Sequence, residues 1–344
     1  MRASGPLGPA LQWAARVRAL RGGPVARLSR QRRRELAAGV RGASAPRPAT
    51  TPPRRRVQKV EVGAPWWQSP WAWGGGVTTV VVAIVVVFIV LAASAPAPSP
   101  DPLAPDSLVS AVTGVSPSTL AAVGAGAVSN PIQKLPASTP ALKAGGKPEV
   151  LMVGEDSCPF CAFERWGLVV ALSRFGTFSN LHETSSASGD VYPDTDTFSF
   201  AGSSYSSSYI DFQGVETADR DGNPLQTPSA AEQAILTTYD TSPYSSQTGG
   251  LPFIDLGGRY VASGDPGVDY QANGQAIEAP ALLAGMTWQQ IASSLADSSS
   301  DQAQAILGNA NYLTAAICEL TGNRPGSVCA TSTITQLEGD LGEV

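Results

Sequence analysis

Histidine is almost absent from this chain: His182 is the only one in 344 residues. That excludes His-rich metal centres, and any Ser-His-Asp triad would have to use this one residue. Charge is sparse, at 15% of residues, which excludes a coiled coil and a uniformly charged disordered chain. Acidic residues are scarce at one end. Residues 1–93 hold fifteen Lys/Arg against Glu35 and Glu61, a net of +13, and the remainder carries −18. A basic nucleic-acid-binding domain is therefore not expected beyond residue 93. Cysteine is limited to four residues, spaced as two pairs.

Against these absences stands one long apolar run. Val77–Ala93 carries no charge and comes after a cluster of Trp66, Trp67, Trp71 and Trp73. Indoles prefer the headgroup level, and seventeen helical residues span about 25 Å, so the run predicts a single transmembrane helix anchored at its aromatic flank. Arg54, Arg55, Arg56 and Lys59 precede it, and Lys134 is the next basic residue after it. The positive-inside rule then places the N-terminus in the cytoplasm and the C-terminal domain outside the cell membrane. A cleaved signal peptide is the rival, with Ala93-Ser94-Ala95 as the cleavage site.

Composition predicts the remaining organisation. Residues 1–65 read as a disordered basic cytoplasmic tail, 66–93 as aromatic anchor and membrane helix, and 94–147 as a Pro-rich tether and lead-in packed loosely on the next domain. Residues 148–335 read as an α/β domain, and 336–344 as a C-terminal tail. Glu149–Gly154 is a buried strand by its apolar run, and Ala162–Phe175 a helix by its 3.6 period. Phe178–Thr184, Thr197–Phe200 and Tyr209–Phe212 suit short strands. Ser229-x-x-Glu232 and Thr287-x-x-Gln290 are capping boxes that open helices. Leu251–Leu256 and Gly258–Ser263 read as strands joined across Gly257–Gly258, and a last helix runs from about Asp301 to Leu320 with Gly322 as its cap.

Cys158-Pro159-Phe160-Cys161 sits at the junction of the buried strand and the amphipathic helix. Two cysteines three apart at a helix start can close a disulfide across one turn. The first lies where the helix dipole and unpaired N–H groups favour a thiolate. Pro159 suits the first helical position. Cys158 is thus expected to attack and Cys161, one turn deeper, to resolve. Glu155 and Asp156 nearby would oppose a thiolate or relay a proton to the leaving thiol. Cys318 and Cys329 flank a short loop after the last helix; in an exported domain their expected state is a structural disulfide. A zinc site from CxxC, Cys318, Cys329 and His182 fits no common spacing, so no metal is expected. Asp219-x-Asp221-Gly222 reads as a polar turn, Glu164-Arg165 as a solvated face or a rim around the dithiol, and His182 as a structural residue.

At these residues the chain resembles the thioredoxin superfamily. It is similar more specifically to the thioredoxin-like domain-of-unknown-function family 929. The similarity runs through Gly146–Val150, Cys158–Trp166, Leu172–Leu181, Asp190–Pro193, Thr197–Phe200, Tyr205–Phe212 and Cys318…Cys329. The resemblance implies a thioredoxin-like fold with a large insertion at about 182–240. It also implies a cis-proline facing the dithiol, matched by Leu251-Pro252, with Pro159, Phe160 and Leu251 along a substrate groove. Taken with the membrane reading above, the dithiol site leads to the expected function: a membrane-anchored, extracytoplasmic thiol–disulfide oxidoreductase acting on exported protein thiols or disulfides. It would need no cofactor, and a redox partner would reset it. The alternatives are a non-catalytic thioredoxin-like binding module and an envelope structural protein, each with the CxxC held as an inert disulfide.

Overall fold

The computed structural model describes residues 101–245, 248–264, 268–272 and 274–341. Helices α1 (Asp106–Thr113) and α2 (Pro117–Val123) come first, then the two-residue strands β1 (Gln133–Lys134) and β2 (Lys143–Ala144). Strand β3 (Lys147–Gly154) leads into α3 (Pro159–Ser173). The strands β4 (Gly176–Ser179), β5 (His182–Ser185), β6 (Asp196–Ser199), β7 (Ser204–Ser207) and β8 (Asp211–Glu216) come next. Helix α4 (Ala230–Tyr239) precedes β9 (Phe253–Leu256), β10 (Tyr260–Ser263), β11 (Asp269–Ala272) and β12 (Gln275–Glu278). The chain closes with a 3-10 turn at Ala279–Leu283 and helices α5 (Trp288–Ser294), α6 (Asp301–Thr321), α7 (Gly326–Cys329) and α8 (Ser332–Asp340).

β3 is the centre of a mixed sheet because it is apolar on both faces: Val150, Leu151, Met152 and Val153 are all buried. It pairs in parallel with β8, Val150 against Phe212 and Val153 against Val215, and antiparallel with β9, Met152 against Ile254. β9 then pairs with β10 across a turn in which Arg259 N donates to Leu256 O over Gly257 and Gly258, both at positive φ. α3 and α6 cover one face, with Trp166, Leu168, Leu172, Ile306, Leu313 and Ile317 buried between the layers. The other face is covered by α4 through Ile235 and Leu236.

Both capping boxes form, at Ser229–Glu232 and Thr287–Gln290, and α6 ends on Gly322 in the left-handed conformation. The expected strand Phe178–Thr184 is two strands, β4 and β5, because Asn180 adopts a φ of 57° and breaks the extended backbone. β4 pairs with β7 and β5 with β6, so residues 176–207 fold back on themselves as an arm. The lead-in is not loosely packed: Leu108, Val112, Leu120 and Val123 are buried in the main core. The expected C-terminal tail is helical to Asp340, with Leu337 buried.

Two further expectations are corrected. No helix among the described residues is long and apolar enough to cross a membrane. The run expected to do so, Val77–Ala93, lies outside the described residues, together with the tail 1–65 and the anchor 66–93. The fold that stands is an α/β domain with a mixed sheet. The transmembrane helix, and the single-pass cell-membrane localisation with an extracytoplasmic domain that was read from it, are withdrawn. The single insertion at 182–240 is corrected as well. Residues 211–216 within it are β8, a strand of the main sheet, so the additions are the arm before β8 and the segment after it that leads into α4.

Candidate functional site

The dithiol stands where β3 turns into α3. β3 ends at Gly154, where a Cβ would crowd its neighbours, 3.0 Å from the Met152 methyl and 3.2 Å from Cys161 Sγ. Cys158 N donates to Glu155 O at 3.2 Å to close the turn, and Pro159 takes the first helical position. Cys158 is the N-cap of α3: its sulfur accepts the Cys161 backbone N–H at 3.2 Å. The two sulfurs are both free thiols, Cys158 half-buried and Cys161 fully buried.

Their environments drive them apart. A hydrogen bond from the Cys161 thiol holds the Cys158 pKa down against the cost of its burial, aided by the Cys161 N–H and the charge of Arg165. Burial, together with that same bond and the neighbouring Cys158, pushes the Cys161 thiol well up.

Beneath the dithiol lies a buried charge cluster. Arg165 donates Nε to Glu216 Oε1 at 2.9 Å and Nη2 to Glu216 Oε2 at 2.6 Å. The same Nη2 donates to Glu155 O at 2.7 Å and lies 3.3 Å from Asp156 Oδ1. Burial alone would disfavour the guanidinium charge, and Glu216 and Asp156 outweigh it. Burial raises Asp156 to about 7 although Arg165 pulls the other way, and Ser199 Oγ donates to its Oδ2 at 3.0 Å. Glu216 Oε2 and Cys161 Sγ converge on one point, 3.4 and 3.2 Å from where a Gly154 Cβ would stand. The cluster is thus next to the Cys161 sulfur. Asp156 also lines a cavity of about 570 Å³ with Ser199, His182, Asp219 and Arg220.

The expected groove residues come together around Cys158. The Leu251–Pro252 bond is cis, and the Leu251 carbonyl oxygen is 3.8 Å from Cys158 Sγ. Phe160 and Pro252 line one apolar cleft with Phe163, Ile254, Val268 and Pro280. The arm touches the dithiol turn: Ala187 N donates to Ser157 O at 2.8 Å, and Tyr192 meets Phe160 edge-on at 6.2 Å. Tyr192 Oη also donates to Glu278 Oε2 at 2.8 Å, joining the arm to β12.

Cys318 and Cys329 are bonded to each other, away from the dithiol, and tie α7 to the end of α6. Asp219 accepts from the N–H groups of Asp221 and Asn223, which is the expected turn. Glu164 and Arg165 are not a solvated face, because both are buried; Glu164 lies on the wall of the cleft that Phe160 and Pro252 line. Glu164 accepts from Asn309 Nδ2 with both oxygens at 3.0 Å, and burial lifts it to about 7. Arg165 could have been found from spacing, since it stands seven residues after Cys158 and four after Cys161 on one helix face. Glu216 is 51 residues from Arg165 in the chain, and nothing local marks it. Over residues 134–319 the chain matches the family described as Domain of unknown function (DUF929). Comparison with curated proteins and with solved structures finds no match.

Proposed function

The chain belongs to the family Domain of unknown function (DUF929), and we propose that it acts as a thiol–disulfide oxidoreductase on protein thiols or disulfides through Cys158 and Cys161. One observation carries this reading: the two sulfurs are unequal in the sense that exchange needs. Cys158 reaches the surface at a helix N-terminus with its pKa lowered, and Cys161 is buried with its pKa raised. The thioredoxin-like resemblance, with Pro252 beside Cys158, adds to its support.

In the reducing direction the Cys158 thiolate attacks one sulfur of a substrate disulfide. The substrate S–S bond breaks, its other sulfur leaves as a thiolate and takes a proton, and a mixed disulfide to Cys158 forms. Cys161 then loses its proton and attacks the Cys158 sulfur. The mixed disulfide breaks, the substrate leaves with two thiols, and a Cys158–Cys161 disulfide remains. The substrate gains two electrons and the dithiol gives them up; a redox partner carrying a dithiol restores the reduced state. In the oxidising direction the same steps run backwards. The charge cluster serves the second step. Arg165 stabilises a thiolate by its charge, and the Glu216 and Asp156 carboxyls lie where the Cys161 proton has to go. Asp156 also lines the neighbouring cavity.

The test is trapping. Cys161→Ala removes the resolving sulfur, so acid-quenched mixed disulfides with protein substrates accumulate; Cys158→Ala yields none and loses turnover of a model disulfide. If Cys161→Ala gathers no adducts and Cys158→Ala turns over as before, the domain is a non-catalytic binding module.

A further inference from the structure

The end of α3 far from the dithiol holds a second arginine, Arg174, which the redox reading does not use. Its Nη1 donates to Asn311 Oδ1 and to Thr314 Oγ1, both at 3.1 Å. Those acceptors are themselves fixed. Asn311 is buried on α6 and donates Nδ2 to Leu120 O and Gly124 O at 2.9 and 2.8 Å. Thr314, also buried, donates to Ala310 O at 2.7 Å. The guanidinium is therefore held in place by neutral oxygens alone. The contrast is with Arg165 on the same helix, which two carboxylates neutralise. Among the described residues no carboxylate pairs with Arg174, and its Nε and Nη2 make no hydrogen bond. Partial burial with no anion beside it draws Arg174 down to about 10.

Arg174 lines a cavity of about 210 Å³. Thr331 and Thr333, at the start of α8, lie on its wall, and α8 opens at Thr331 without a side-chain cap. Its first-turn N–H groups are therefore available to an acceptor. The other walls are largely aliphatic, formed by Val115, Leu120, Val328 and Ile334. A planar fork of unpaired N–H groups matches a carboxylate, which accepts two parallel hydrogen bonds. At about 30 Å³ per water-sized group, the space takes roughly seven such groups.

We propose that this cavity binds small aliphatic carboxylates, with the carboxylate on the Nε and Nη2 edge of Arg174 and the hydrocarbon chain on Val115, Leu120, Val328 and Ile334. The site is independent of the dithiol, and its occupancy does not require the redox reading.

The test is calorimetric titration of the full chain with sodium hexanoate, and separately with 1-hexanol and sodium phosphate. Hexanoate is expected to saturate one site, with hexanol and phosphate at least about tenfold weaker. Arg174→Gln is expected to weaken hexanoate by about tenfold or more. Because that change also loosens the tie between α3 and α6, a second variant keeps Arg174. Ala121→Met fills the cavity wall with a larger side chain. It is expected to abolish hexanoate binding at an unchanged thermal midpoint. Absence of hexanoate binding, hexanol or phosphate binding as tightly as hexanoate, or wild-type affinity in either variant would overturn the proposal.

Discussion

Arg165 shows how much of this site is one residue's work. It is buried, and it is the cation to which both Glu216 and Asp156 are turned. Removing one member of a buried ion cluster costs about 3–5 kcal/mol, because the partners are left charged and unpaired. Arg165→Met is expected to lose that much in urea unfolding, and Arg165→Met with Glu216→Gln and Asp156→Asn to regain most of it. In Cys158 alkylation, the pH midpoint of Arg165→Met is expected to rise, since a positive charge that favours the thiolate is gone. Glu164 carries a different signature. Its folded pKa, about 7, lies above its ordinary value, so the neutral acid is the form the fold prefers. The stability it contributes is complete below about pH 4 and is lost as pH rises through about 7, up to about 3 kcal/mol. Glu164→Gln is expected to flatten the fall in stability across that window. Asp156, Asp196 and Asp255 are raised in the same direction, to about 7, 6 and 6, so the larger part of the slope remains. Cys158 and Cys161 were legible from their spacing and from the strand and helix on either side. Glu216 was not, because a single acid at the end of a strand looks the same whether it faces water or an arginine.

At the scale of elements, local rules did well where one residue decides a boundary. Ser229 and Thr287 open α4 and α5 because their side chains accept the N–H three residues on. Thr287→Ala is expected to cost about 1 kcal/mol, read from the thermal midpoint. The same logic failed at β4 and β5, where an asparagine tolerated in the left-handed region splits an apolar run in two. The disulfide between Cys318 and Cys329 joins two helices across a separation of eleven residues. In the chain-entropy model a loop of that size is worth roughly 3 kcal/mol. Cys318→Ser with Cys329→Ser is therefore expected to unfold earlier by that amount, and reductant to have no further effect on the double variant's stability beyond its action on Cys158 and Cys161.

For the molecule as a whole, the core extends further than the family match, which begins at residue 134. α1 packs on α3 and α5, and α2 on α6. The lead-in backbone also lies directly against α6: a Cβ on Gly308 would stand 2.5 Å from Ala125 O. Leu108→Ala and Leu120→Ala are each expected to cost about 2–4 kcal/mol in urea unfolding, as buried leucines do. A chain that starts at residue 101 is expected to unfold cooperatively. One that starts at residue 134 is expected to lose that cooperativity, since the apolar faces of α3 and α6 would be left open. Cooperative unfolding of the shorter chain would show the lead-in to be dispensable.

The sequence by itself determined the strand–CxxC–helix junction, the positions of the helix caps, and which cysteine stands first on the helix. Each depends on neighbours within a few residues, where spacing and side-chain chemistry suffice. Only the tertiary structure decided that Glu216 meets Arg165, that Tyr192 reaches Phe160, and that α1 and α2 belong to the core. Those contacts join segments tens of residues apart or more. They depend on which strand pairs with β3 and which apolar face covers which. Burial is non-directional, so a local pattern says that a residue will be covered and does not say by what.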